Sequence, residues 1–162
     1  MTDKHMPITG GCSCGSIRYE STEPPVNGGF CHCTQCQRES GGLYVALLMV
    51  PHAGFRFIQG EPTRYSTTAA LSHLFCGTCG SSIGGEYLGD ENIIVTVGTL
   101  DHPEDWPLNQ EGWFGHVYVT NKIPWEVIGD ELPQHDQEAP ELEDKMLDIQ
   151  RRAQEKTREY IK

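Results

Sequence analysis

Residues 31–36 read Cys-His-Cys-Thr-Gln-Cys, and they open a longer stretch, Cys31-His-Cys-Thr-Gln-Cys-Gln-Arg-Glu-Ser-Gly41. The other four cysteines fall in two pairs, Cys12-Ser13-Cys14 and Cys76-Gly77-Thr78-Cys79. Seven cysteines therefore divide as four plus three. A structural zinc site closes with four protein ligands, whereas a catalytic one uses three and keeps a position open. Cys76-x-x-Cys79 has the spacing of a zinc knuckle, and Gly77 and Gly80 leave room for backbone N–H groups to point at the sulfurs. Joining it to Cys12 and Cys14 fills one closed site and leaves Cys31, Cys33 and Cys36 together. Joining it to the middle cluster would leave an odd ligand. Two Zn²⁺ per chain are expected.

Other fates of the cysteines fit less well. Disulfides are disfavoured by the odd count and by the absence of a secretory signal in Met1–Pro7, which lacks an apolar core. A redox pair usually opens a helix after a strand, and Cys76-Gly-Thr-Cys-Gly lies among β signals. A cytoplasmic setting, where thiols stay reduced, is the expectation. The His5-Met6 pair carries no weight.

A chain of 162 residues with 37% hydrophobic side chains fits one domain. Its longest apolar run, Leu43–Val50, is far short of the roughly 20 residues that span a bilayer. The formal net charge is -11, and residues 1–140 hold 6 basic against 17 acidic side chains. That sign opposes nucleic acid and anionic membranes as partners.

Short runs of β-branched and aromatic residues, punctuated by glycines, predict strands at Ser16–Glu20, Gly42–Val50, Phe55–Gln59, Thr63–Ser66, His73–Phe75, Ile83–Tyr87, Ile93–Val97, Gly115–Val119 and Trp125–Ile128. No useful helical period precedes residue 138. Residues 130–140 read as a polar linker. Beyond it Leu142, Met146, Ile149, Ala153 and Tyr160 form one face of an amphipathic helix, supported by Glu141–Lys145 and Asp148–Arg152 pairs. That stripe would dock on the body or on a second subunit, so a homodimer is open. The expected organisation is a tail at 1–7, a zinc-binding domain at 8–135, and linker plus helix at 136–162.

Three blocks, Gly10-Gly-Cys-Ser-Cys-Gly-Ser-Ile-Arg-Tyr19, Cys31 to Gly41 and Phe75-Cys-Gly-Thr-Cys-Gly-Ser81, resemble the signatures of the glutathione-dependent formaldehyde-activating family, to which centromere protein V belongs. Val97-Gly-Thr-Leu-Asp101, His116-Val-Tyr-Val, Pro124-Trp125 and Leu132-Pro133 agree with it. The resemblance implies a mainly β protein with a β-tent fold of folded antiparallel sheets, similar to the mammalian suppressor-of-Sec type. It implies a structural zinc at Cys12, Cys14, Cys76 and Cys79 and a catalytic zinc at Cys31, Cys33 and Cys36. The reaction it implies is carbon–sulfur lyase chemistry, the condensation of glutathione with formaldehyde. Where many members have two arginines after the third catalytic cysteine, this chain has Gln37-Arg38.

Three thiolates around Zn²⁺ leave a net charge of -1, which suits holding a substrate thiol as thiolate better than making hydroxide. The expected chemistry is therefore addition of a zinc-bound thiol, glutathione or similar, to a small aldehyde, or the reverse. His32, His116 and Asp101 are the candidate proton donors. His32 alternates with the cysteines and would point away from the metal in an extended segment. Arg38 is a candidate partner for a substrate carboxylate or a surface ion pair. Trp106, Trp113, Phe114 and Trp125 would wall a pocket or sit in the core. The rival reading is a non-catalytic binding module with both zincs structural.

Overall fold

Ten strands and two α-helices follow one another in the computed structural model, which describes residues 7–66, 68–110 and 112–160, with side chains as far as residue 155. The strands are β1 (Ile8–Gly11), β2 (Arg18–Ser21), β3 (Asn27–Cys31), β4 (Val45–Pro51), β5 (Phe55–Gln59), β6 (Thr63–Ser66), β7 (Leu71–Phe75), β8 (Ser82–Tyr87), β9 (Asn92–Thr96) and β10 (Gly115–Val117). The helices are α1 (Thr34–Ser40) and α2 (Pro140–Tyr160). Most of the expected tail at residues 1–7, and the side chain of Tyr160, lie outside the described residues.

Two sheets form, one of three strands ordered β1-β2-β5 and one of seven ordered β10-β3-β4-β9-β8-β7-β6. Every pairing is antiparallel except β10 with β3, which is parallel. The apolar run read from the sequence becomes β4, a central strand covered on both faces. Leu48 and Val50 join Ile93 and Val95 of β9 in a core shared with Ile8 and Tyr19 of the small sheet and with Ile17, which immediately precedes β2. Leu47 and Met49 face the other way and pack with Cys31, Phe114 and Val117. Alternation along a strand buried on both sides produces this division. Each cysteine cluster sits against a different core.

Three local expectations are corrected. β1 and β3 escaped the sequence reading because Gly10, Gly28 and Gly29 read as punctuation. These glycines instead allow close packing: a Cβ at Gly28 would lie 2.6 Å from the Trp113 ring, and one at Gly29 2.3 Å from the Gly115 carbonyl oxygen. The predicted strand at Trp125–Ile128 is absent, since no neighbouring strand pairs there. Trp125 is 70% exposed, so it does not sit in the core. A helix precedes residue 138 after all: α1 is seven residues long, too short to show a period. Cys33 caps its start by accepting a hydrogen bond from the Cys36 amide, and Gly41, at φ 71°, ends it.

α2 docks on the body, with Ile149 and Ala153 buried. The expected Asp148–Arg152 pair is present at 2.9 Å. Lys145, expected to pair with Glu141, reaches instead across to Asp90 at 2.8 Å, and Arg152 donates to the Gly89 carbonyl at 3.2 Å. Among the described residues, no helix is long and apolar enough to cross a membrane.

Candidate metal centres and the adjoining cavity

Cys12 and Cys14 follow β1, and Cys76 and Cys79 lie in the β7–β8 connection, so the four-cysteine cluster joins the small sheet to the large one. Its sulfurs all lie within 4.8 Å of one another, with Cys12–Cys14 at 3.5 Å and Cys14–Cys76 at 3.8 Å. Tetrahedral Zn–S bonds of about 2.3 Å place sulfurs roughly 3.8 Å apart, so this donor set fits zinc. Backbone amides point at the sulfurs: Ile17 N–H donates to Cys12 Sγ at 3.2 Å, and the Thr78 and Cys79 amides serve Cys76. The Ser81 hydroxyl and amide, with that of Cys14, hold the Cys79 thiol down to about 5. Gly80, at φ 76°, supplies the left-handed residue that closes the knuckle.

Cys31 ends β3, Cys33 caps α1 and Cys36 lies in its first turn. Their sulfurs also lie within 4.8 Å of one another, and among the described residues no fourth ligand joins them. Hydrogen bonds from Cys31 and Cys36 push the Cys33 thiol far down, while those two thiols are pushed up. Three sulfurs so close cannot all lose their protons unless a cation lies among them. The donor set therefore fits a metal bound at three corners.

A cavity of about 420 Å³ opens beside this cluster. Its walls bring together Glu39 of α1, His73 of β7, Tyr87 of β8, and Tyr118 and Glu138 from beyond β10. His73 Nδ1 lies 3.4 Å from Glu39 Oε2. Tyr118 is the sole non-glycine residue with positive φ among those described, at 57°. A tyrosine rarely adopts that conformation, and held strain of this kind concentrates where a side chain must be aimed. A hydrogen bond links Tyr118 to Glu138. Burial pushes the Glu138 carboxyl up, with the nearby Cys33 sulfur adding to the effect, and burial pushes Tyr118 up to about 12.

None of the four non-cysteine residues expected at the active site lines this cavity. His32 is 0% exposed and lies behind the cysteines, as alternation predicted. Its Nε2 is 2.9 Å from His116 Nδ1, and its Nδ1 faces Glu126 at 3.5 Å. His116 lies in the middle of β10, stacks on Phe30 and reaches Asp130 at 3.2 Å through Nε2. Glu126, His32, His116 and Asp130 thus form one polar chain through the protein behind the Cys31–Cys33 turn. Asp101 sits at the small sheet, where it takes both guanidinium nitrogens of Arg18 and is held below the usual carboxylate range by them. Arg38 is exposed, outside the cavity. Its neighbour Gln37 bonds the carbonyls of His32 and Asn121, at 2.7 and 3.0 Å, tying α1 to the turn after Tyr118. Glu138 stands outside every quoted motif, and Tyr118 stands within His116-Val-Tyr-Val with nothing to mark it from its neighbours; β10 and the segments beyond it place both at the cavity.

No curated protein matches the chain significantly. A crystal structure of a Rhodobacter sphaeroides protein is similar in fold, with a TM-score of 0.52 at 23% identity, covering 67% of this chain and 99% of that one. The family model described as glutathione-dependent formaldehyde-activating enzyme matches residues 7–116, which include both cysteine clusters. By that match, and with the mainly β architecture and paired cysteine clusters that accompany it, the chain belongs to the glutathione-dependent formaldehyde-activating family.

Proposed function

We propose that the protein is a zinc-dependent carbon–sulfur lyase that joins a thiol to a small aldehyde, or cleaves the adduct, at the cavity beside Cys31, Cys33 and Cys36. One observation carries this reading: three cysteines converge without a fourth described ligand, at the wall of a cavity large enough for a small molecule. Zn²⁺ held there would supply a position at which a substrate thiol loses its proton. The four-cysteine cluster would hold a second, closed Zn²⁺ that clamps the sheets.

In the addition direction the substrate sulfur donates an electron pair to the carbonyl carbon, and a carbon–sulfur bond forms. The C=O π pair moves to oxygen, which must take a proton. Tyr118 and Glu138 face the cavity as a hydrogen-bonded pair and are the proton source in this proposal. They replace His32, His116 and Asp101 in that role. His32 and His116 instead hold the cysteine turn from behind, and Asp101 ties the small sheet to Arg18.

Exchange NMR is the appropriate assay, because thiols and aldehydes also combine unaided. The metal-loaded protein should raise the exchange rate between free thiol and hemithioacetal. Cys36→Ser should abolish that enhancement while the other metal stays bound. Tyr118→Phe should lower it by about 10²-fold, the scale of a positioned acid. No enhancement with any thiol–aldehyde pair would dismiss the lyase reading.

A second reading has one observation behind it. Cys33-x-x-Cys36 opens a helix directly after a strand, the placement expected of redox pairs. Mass spectrometry after mild peroxide would support it by showing a Cys33–Cys36 disulfide formed before any other oxidation.

A further inference from the structure

We infer that His73, aimed by Glu39, is the base that takes the proton from the substrate thiol. This rests on the thiol–aldehyde reading above and assigns a step that reading leaves without a residue. His73 stands on β7, far from the cysteine turn in sequence, yet both line the cavity.

Strand register makes the space. Across the sheet His73 lies opposite Gly85, Gly85 opposite Ile94, and Ile94 opposite Met49, and all four line the cavity. Directly opposed residues share a face, and the glycine puts no side chain between the imidazole and Ile94. From the other side α1 closes the wall. Cys36 and Glu39 are three residues apart on that helix, a spacing that sets Cβ atoms about 5–6 Å from each other. The carboxylate that meets His73 therefore springs from the same helix face as a metal-site cysteine. Gln35, between Cys33 and Cys36, donates through Nε2 to Glu39 Oε1 at 3.0 Å, which leaves Oε2 to face His73 Nδ1 at 3.4 Å. Phe75 stacks on the imidazole with ring centroids 5.6 Å apart and 15° between the planes. The ring is held from two sides.

A carboxylate at Nδ1 favours the tautomer that keeps its proton there, so the Nε2 lone pair is the acceptor. The side chains of His73 and Glu39 are only 11% and 18% exposed. Shielding such a pair from water costs more than an apolar contact between β7 and α1 would, so anchoring the helix does not account for it.

A thiol must lose its proton to ligate a metal. Three thiolates leave the centre with a net charge of -1, which weakens its pull on that proton. In the step proposed, the S–H bond breaks, its electron pair stays on sulfur, and the proton passes to His73 Nε2. Glu39 balances the charge of the imidazolium. Once the carbon–sulfur bond has formed, oxygen takes its proton from Tyr118 and Glu138, and solvent water carries the surplus proton from His73 to that pair. Cleavage of the adduct runs the same transfers backwards.

Calorimetric titration of the zinc-loaded protein with 2-mercaptoethanol and with glutathione tests this without turnover. Titrations in two buffers of different ionisation enthalpy count the protons released per thiol bound. His73→Gln should release about one proton more per thiol than wild type. Glu39→Gln should also release more, because the imidazolium has lost its carboxylate, and both variants should keep the full metal content. In the wild-type protein, imidazole nitrogen NMR should show His73 Nε2 pass from bare to protonated as thiol binds, a readout that needs no folded variant. His73→Gln should lower the exchange enhancement by about 10²-fold. Equal proton release by wild type and His73→Gln, or an Nε2 that stays bare with thiol bound, overturns the inference. A wild-type protein that binds neither thiol defeats the thiol–aldehyde reading itself.

Discussion

Replacing Cys76 with serine separates the two clusters' roles. Cys76 is 1% exposed and packs in the core shared by the two sheets. A common ion held by Cys76 and Cys12 would close a loop of roughly 65 residues. The chain-entropy relation for cross-links gives about 4 kcal/mol for a loop of that length at 25 °C. Against a usual total of about 5–15 kcal/mol, that is a large share. With a urea dependence of about 2 kcal/mol/M, the unfolding midpoint should fall by about 2 M. Cys33→Ser is the matched control. Serine is itself a favourable N-cap, so α1 keeps its start, and the midpoint should move by less than about 0.5 M. Metal per chain, measured by inductively coupled plasma mass spectrometry, and urea titration followed by circular dichroism read both effects. Each variant should lose one of two metals, and only Cys76→Ser should lose the 2 M. Equal shifts in the two variants, or a Cys76→Ser protein with both metals and an unchanged midpoint, would refute the reasoning.

Three further outcomes are expected. Gly115→Ala should cost about 3 kcal/mol in denaturant unfolding, because φ there is 68° and the added Cβ would sit 2.4 Å from the Pro133 carbonyl oxygen. His116→Phe should retain the stack on Phe30 yet lose about 1–3 kcal/mol, since buried His32 Nε2 is left without its partner; a wild-type melting curve would contradict this. Glu138→Gln should alter the pH dependence of stability. Burial raises the folded carboxyl above its ordinary 4.5, so the native state binds more protons than the unfolded chain and loses stability as pH rises through that range. The glutamine variant lacks that loss, so its stability relative to wild type should climb with pH in thermal melts from pH 4 to 8.

Much of the site was legible before any coordinates. Cys12 and Cys14, Cys31 to Cys36, and Cys76 and Cys79 are each separated by one or two residues, so local backbone alone brings the sulfurs of each group together. Fold class was legible too, because Leu43–Val50 and Ile93–Val97 are β-branched or apolar runs that need burial on a sheet. The expected α2 stripe follows a 3.6-residue period over five turns and was readable for the same reason.

What the sequence concealed involves distance along the chain or conformations without a composition signal. β1 and β3 contain glycines whose purpose, close approach to Tyr19, Trp113 and Phe114, is visible only once those rings are in place. α1 has too few residues to display a period. Glu126 and Asp130 complete the polar chain behind Cys31 through His32 and His116, although they stand far from the cysteine motif in sequence.

The sequence by itself determined which residues can hold metal, how they divide as four and three, and that the body is β with a C-terminal helix. These follow from short-range spacing and periodicity. Only the tertiary structure decided that the clusters lie on different cores, that Asp101 belongs to the small sheet, and that Glu39, His73, Tyr118 and Glu138 share a cavity wall. Those side chains span about a hundred residues, and pairing of β3 with β4 and β10 is what brings their segments to one face.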